Sequence, residues 1–172
     1  LMKFSGDTKD LSSMLLGEFV NYNENFKVAC INYFSYKKVK CEEEIYNLLA
    51  NKNENQEVRI ACIRYFGSVS YKKVVPLLYD FLNDSVEEYA VVSAHTLSNY
   101  KGADTTEALI NALKSHNWYV RKNAAESLVI ITKIDNIKKI IDIMLKEVAD
   151  RLQESNIQIK MEKSVKEVIA KE

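Results

Sequence analysis

The chain has 172 residues, 47% apolar and 28% charged, with 24 basic residues against 24 acidic ones. That is the size of about one domain, and the zero net charge argues against the strongly basic surface of a nucleic-acid module. Four glycines and a single proline, Pro76, are too few turn formers for a small β-protein and point to helices joined by short loops.

Residues 8–20 give the first predicted helix, with Leu11, Met14, Leu15 and Phe19 on one face. It reads either as the second helix of an earlier pair, which implies further sequence upstream, or as an N-terminal cover for the helices after it. A repeat then begins. The segment from Phe26 to Phe34 and the segment from Val58 to Phe66 share Ala-Cys-Ile and Tyr-Phe at the same places. Two more copies start at Tyr89 and Val120, so the spacings are 32, 31 and 31 residues. In each copy the first position is large (Phe26, Val58, Tyr89, Val120), the fifth small (Cys30, Cys62, Ser93, Ala124) and the ninth large (Phe34, Phe66, Leu97, Leu128). Offsets of four and eight lie on one helix face, and a small residue between two large ones lets a neighbouring helix approach closely.

A second helix follows each first one, with apolar sets Ile45, Leu48 and Leu49; Leu78, Phe81 and Leu82; Leu109, Ala112 and Leu113; and Ile141, Met144 and Leu145. Breaks are expected at Ser68 and Ser70, at Lys101-Gly102-Ala103 and from Lys133 to Asp135. Ser85-Val86-Glu87-Glu88 has the form of a capping box, and Asn55, Asp104 or Thr105, and Asp135 are candidate N-caps. Tyr36-Lys37-Lys38-Val39 recurs as Tyr71-Lys72-Lys73-Val74, but 35 residues on and out of register, which predicts a shorter first helix and a longer connection in the first repeat. The repeats run over 23–53, 54–84, 85–116 and 117–146, and residues 147–172 are expected to close the array. Asp135 to about Leu152 reads as one long helix. Beyond it Ile157, Met161, Val165, Val168 and Ile169 form an apolar stripe opposite the pairs Glu162–Lys166, Lys163–Glu167 and Glu167–Lys171. That helix is either a cap or a partner-docking helix. The whole, 1–172, reads as a single all-α domain of stacked helical hairpins.

The openings Val58-Arg59, with Cys62 and Phe66-Gly67, and Val120-Arg121, with Ala124-Ala125 and Leu128, resemble the short bacterial form of the HEAT repeat. Val74-Val75-Pro76-Leu77-Leu78 to Leu82-Asn83-Asp84 resembles that family's second helix. The resemblance covers about residues 23–146. It implies a right-handed α-α superhelix, or solenoid, of about four hairpins with capping helices at both ends. It also implies a hydrogen-bond ladder through the arginine, altered where Phe26-Lys27 and Tyr89-Ala90 replace Val-Arg. Second helices line the concave side of such arrays, which form an extended groove.

Function is read from side chains rather than fold. No GxSxG, P-loop, GxGxxG or HExxH motif occurs. Glu42-Glu43-Glu44 fits a helix start, where carboxylates meet the positive end of the dipole. His95 falls where other repeats carry Arg64 and Glu126, an exposed position, and His116 falls in a loop. Cys30, Cys41 and Cys62 have no paired spacing and read as reduced thiols; no catalytic residue, cofactor or metal site is expected. Within this sequence no apolar run is long enough to span a membrane and no signal peptide is read, so the expectation is a cytoplasmic protein or one that carries a membrane or targeting segment upstream of Leu1. Counting back three from Leu49, Leu82, Leu113 and Leu145 gives Tyr46, Tyr79, Ile110 and Asp142; the next positions are Asn47, Asp80, Asn111 and Ile143. The resemblance turns these positions toward the concave face. Tyr46, Asn47, Tyr79, Asp80, Ile110 and Asn111 are therefore partner-binding candidates, or residues packed between repeats. Trp118 is a further candidate, for a partner or as a staple onto its loop.

The favoured function is a non-enzymatic scaffold or adaptor that binds a protein or peptide; nothing points to a small-molecule ligand. The alternative is a DNA-binding or repair protein similar to the HEAT-like alkylpurine DNA glycosylases. Lys37, Lys38, Lys72, Lys73, Lys114, Lys138 and Lys139 would then contact phosphates. The balancing carboxylates and the lone tryptophan count against it.

Overall fold

The computed structural model describes residues 15–131 and 134–154, and among these every regular element is helical. The described residues fall into two compact units, one ending at Leu78 and one beginning at Tyr79.

The first unit opens with helical residues 15–18 and a short 3-10 turn, Phe19–Asn21, followed by α1 (Glu24–Lys37), α2 (Glu42–Ala50) and α3 (Gln56–Ser68). A second 3-10 turn, Lys72–Val74, leads into α4 (Val75–Phe81), within which the division between the units falls. Pro76 lies in the first turn of α4, where its missing N–H has no helical partner to lose. The second unit continues with α5 (Glu87–Thr96), extended by a 3-10 turn Leu97–Asn99, and then α6 (Ala103–Ala112), α7 (Trp118–Ile131) and α8 (Ile134–Glu154).

Packing repeats within each unit. First helices lie on first helices, α1 on α3 and α5 on α7, and each second helix lies on the next first helix, α2 on α3 and α6 on α7. The small column makes the close approach: Cys30, Cys62, Ser93 and Ala124 are all buried. So is the ninth column, Phe34, Phe66, Leu97 and Leu128. Polar links cross the same interfaces. Ser35 Oγ bonds Ser68 Oγ at 2.9 Å in the first unit, and Ser127 Oγ donates to Ala94 O at 2.7 Å in the second.

Several expectations need correction. Val58, Tyr89 and Val120 of the first column are buried, but Phe26 is 37% exposed and lies against the Tyr22 ring, 4.5 Å away. Among the described residues, Phe26 is preceded by helical residues 15–18 and the 3-10 turn Phe19–Asn21. The first helix of the first repeat is not short: α1 has 14 residues, and it stops because Lys38 enters the left-handed region at φ 52°. The N–H groups of Lys38 and Val39 then bond Ser35 O and Phe34 O at 3.2 and 2.9 Å, closing a Schellman turn. The two Tyr-Lys-Lys-Val copies thus differ: one ends a helix and the other forms a 3-10 turn ahead of one.

The capping box at Ser85 is absent; Val86 is the N-cap, and Asp84 Oδ1 accepts from Val86 N at 2.9 Å. Neither Asp104 nor Thr105 caps α6, which starts after Gly102, and α8 already runs through Asp135. Leu82, Ile141, Met144 and Leu145 are half-buried, and Ile140 takes the core position in α8. Asn55 does cap α3, its Oδ1 accepting from Glu57 N at 2.8 Å. The expected residues 8–14, the break at Lys133 and the stripe and charge pairs beyond residue 154 lie outside the described residues.

Lys38 supplies a simple test. A Cβ in the left-handed region costs about 1 kcal/mol, so Lys38→Gly is expected to raise the urea midpoint by roughly that stability. Ser93 supplies another. Its Oγ is fully buried and has no hydrogen-bond partner among the described residues. Ser93→Ala removes an unpaired hydroxyl and leaves the residue found in the same column at Ala124, so stability is expected to hold or rise by about 1 kcal/mol.

Candidate functional site

The arginine of the Val-Arg pair has a structural task. Arg59 Nε donates to Leu49 O at 3.1 Å, at the C-terminal end of α2. Arg121 Nη1 donates to Ser115 O and His116 O at 2.8 and 2.9 Å, just past α6. Arg59 therefore caps the end of α2, where carbonyls lack helical partners, and Arg121 holds the loop that follows α6. Arg151 of α8 reaches the same Ser115 carbonyl at 2.8 Å. At the altered positions, Lys27 instead pairs with Glu54 at 2.9 Å, with both side chains largely covered, and Ala90 is simply buried.

The tyrosine column is half-buried, and each member has its own surroundings. In the first unit Tyr46 meets the Tyr71 ring at 6.1 Å, and Lys73 Nζ stands 4.7 Å from the Tyr46 ring centroid. Tyr71 also stacks on buried Phe66 at 5.9 Å and donates a hydrogen bond to the Glu43 carboxylate. Lys73 completes the cluster with an ion pair to Glu43 at 3.0 Å. The Tyr71 hydrogen bond, then Lys73, hold the Glu43 carboxyl below its ordinary range, while Glu43 raises both Tyr71 and Lys73. Asn47 beside Tyr46 is exposed.

In the second unit Tyr79 Oη and Thr105 Oγ1 lie 2.7 Å apart, joining α4 to α6. Between these helices runs an open groove of about 530 Å³. Tyr79, Leu82, Ala108 and Ala112 give it apolar walls, and Asp104 and Glu107 stand at its edge. Asn83 and Asn111 line it too, so the groove brings together Tyr79 and Asn111 of the expected set. Asp80 is exposed and Ile110 half-buried, and neither lines it. Trp118 lies elsewhere, on the first turn of α7; it is 56% exposed, with the Arg121 guanidinium 5.6 Å from its ring centroid. Neighbouring Tyr119 is exposed as well.

Sequence reasoning missed the acidic edge and the Glu43–Tyr71–Lys73 cluster. Glu107 was readable as the residue one turn before Asn111. Tyr71 and Lys73 lay in the Tyr-Lys-Lys-Val copy set aside as out of register.

The titratable groups in the interior are inert. Tyr65 O–H donates to Val39 O at 2.6 Å, and Tyr65 Oη accepts from Cys41 N at 3.1 Å. Burial pushes the Cys41 thiol up to about 11, against the lowering effect of the Tyr65 hydrogen bond, and burial also raises Cys30, Cys62 and Tyr65. A thiol so placed holds almost no thiolate at neutral pH. All three cysteines are expected to resist iodoacetamide in the folded protein and to alkylate together in urea, as read by intact mass. His95 and His116 are exposed. Among the described residues no group of His, Cys, Asp and Glu is placed to hold a metal ion, and no helix is long and apolar enough to cross a membrane.

Helical hairpins packed first helix on first helix define an α-helical repeat protein. The family model described as HEAT repeats matches residues 87–158, so that part of the chain is similar to that family. A search of curated proteins finds no match.

Proposed function

We propose that the chain is a non-enzymatic scaffold or adaptor that binds another protein through its second helices. The observation that carries this reading is the open groove between α4 and α6, with half-buried Tyr79 and alanines on its walls and a polar edge. A polar rim around an apolar, aromatic centre is the anatomy of a protein-binding surface. HEAT repeats generally serve as protein-interaction scaffolds, which supports the same reading. Tyr46 of α2, half-buried beside exposed Asn47, is a contact candidate within the first unit, and exposed Trp118 is a separate one within the second.

The test is affinity capture from the native cell, followed by binding measurements with the purified partner. Tyr46→Ala with Tyr79→Ala is expected to weaken binding about tenfold or more, the scale of an interface aromatic. Equal affinity of wild type and variant ends the reading. Tight, salt-sensitive binding to duplex DNA in place of a protein partner ends it too.

A further inference from the structure

We propose that the groove between α4 and α6 receives a lysine or arginine side chain from an extended segment of the partner; this rests on the protein-binding reading above. The chain is neutral as a whole, but its charge is unevenly distributed. Helices α2, α4 and α6 carry Glu42, Glu43, Glu44, Asp80, Asp104 and Glu107, and no lysine or arginine. Glu43 is neutralised by Lys73. Asp104 and Glu107, at the groove, form no ion pair or hydrogen bond with a described cation, and no basic residue is among the groove's lining.

The shape matches that charge. Ala108 and Ala112 are small, so the groove stays open between Tyr79 and Leu82 on one side and α6 on the other. A long basic side chain has two parts, an apolar stem and a charged head. The alanine, leucine and tyrosine walls suit the stem, and the carboxylates at the edge suit the head. Asn83 and Asn111 add amide donors and acceptors along the same groove, which suit a peptide backbone. An acidic or purely apolar segment leaves the two carboxylates unmatched.

A phage-displayed library of random dodecapeptides, panned against the full chain at low salt, tests this. Selected peptides, made with a fluorescein label, are then titrated by anisotropy. They are expected to share a lysine or arginine and to bind more weakly as salt rises. Asp104→Asn combined with Glu107→Gln is expected to lower affinity at least tenfold. Ala108→Leu, which fills the groove without changing charge, is expected to do the same. Glu88→Gln, which removes an exposed carboxylate of α5, is expected to change nothing, and circular dichroism checks that each variant is folded. Peptides that bind yet lack a basic residue, or that ignore the Asp104 and Glu107 changes, overturn the inference and leave the protein-binding reading standing. Recovery of no peptide at all overturns both.

Discussion

Phe66→Ala is expected to lower the stability of the first unit by about 3–5 kcal/mol, the usual cost of truncating a buried phenylalanine. Phe66 is 0% exposed and takes the ninth position of the repeat, at the end of α3. Its ring meets Tyr65 edge-on at 5.2 Å and stacks against Tyr71 at 5.9 Å. Truncation leaves a cavity and also removes the surface that orients Tyr71, which donates to Glu43 and packs on Tyr46. The damage thus passes from core to candidate surface in two contacts. Urea unfolding followed by circular dichroism gives the free energy, and hydrogen exchange gives its location. Protection is expected to fall across α1 to α3. A loss below about 1 kcal/mol contradicts the packing, because the cavity term alone reaches that size.

The core was legible because its signal is periodic. Cys30, Cys62, Ser93 and Ala124 recur every 31 or 32 residues, and all four sit where α1, α3, α5 and α7 approach their neighbours. What failed was local chemistry that several residues can supply. Asn23 and Asn117 cap α1 and α7, accepting from Phe26 N at 3.0 Å and Tyr119 N at 2.7 Å, in register with Asn55. The repeat interval contained that answer. In the third repeat Val86 takes the cap place, and Asp84 supplies the side-chain acceptor two residues earlier. Ser85 looked like the better cap only because its hydroxyl chemistry and the following glutamates fit a motif.

The limits of the helix-face argument show at Leu82 and in α8. Leu82 repeats the spacing of core residues but is half-buried because it lines the groove. In α8 the run Ile140-Ile141 offers two registers, and burial chooses Ile140. A column shift of one residue turns a helix by about 100°, which is enough to exchange core for surface. The candidate site was half legible for the same reason. The column through Tyr79 and Asn111 pointed at the groove, while Ile110, one residue away from Asn111, does not line it.

Tyr65→Phe carries the second large effect, although it removes one oxygen and leaves the ring in place. Tyr65 is fully buried in α3, and its hydroxyl ties together the chain between α1 and α2. It donates to Val39 O and accepts from Cys41 N, and Cys41 Sγ lies 3.6 Å from the same oxygen. Phenylalanine leaves the buried Cys41 N–H without that acceptor and Val39 O without that donor, at a cost of about 1–3 kcal/mol. The strain falls on a connection of four residues between α1 and α2, so opening there is expected before global unfolding. Cys41 reports it directly. Its thiol is buried and pushed up to about 11, so alkylation in native buffer requires the connection to open. Each 1.4 kcal/mol removed from that opening raises the rate about tenfold. Tyr65→Phe is therefore expected to speed Cys41 labelling by about tenfold or more, while Cys30, outside this hydrogen-bond set, changes less. Equal labelling of Cys41 in wild type and variant, with an unchanged urea midpoint, contradicts the role assigned to the Tyr65 hydroxyl.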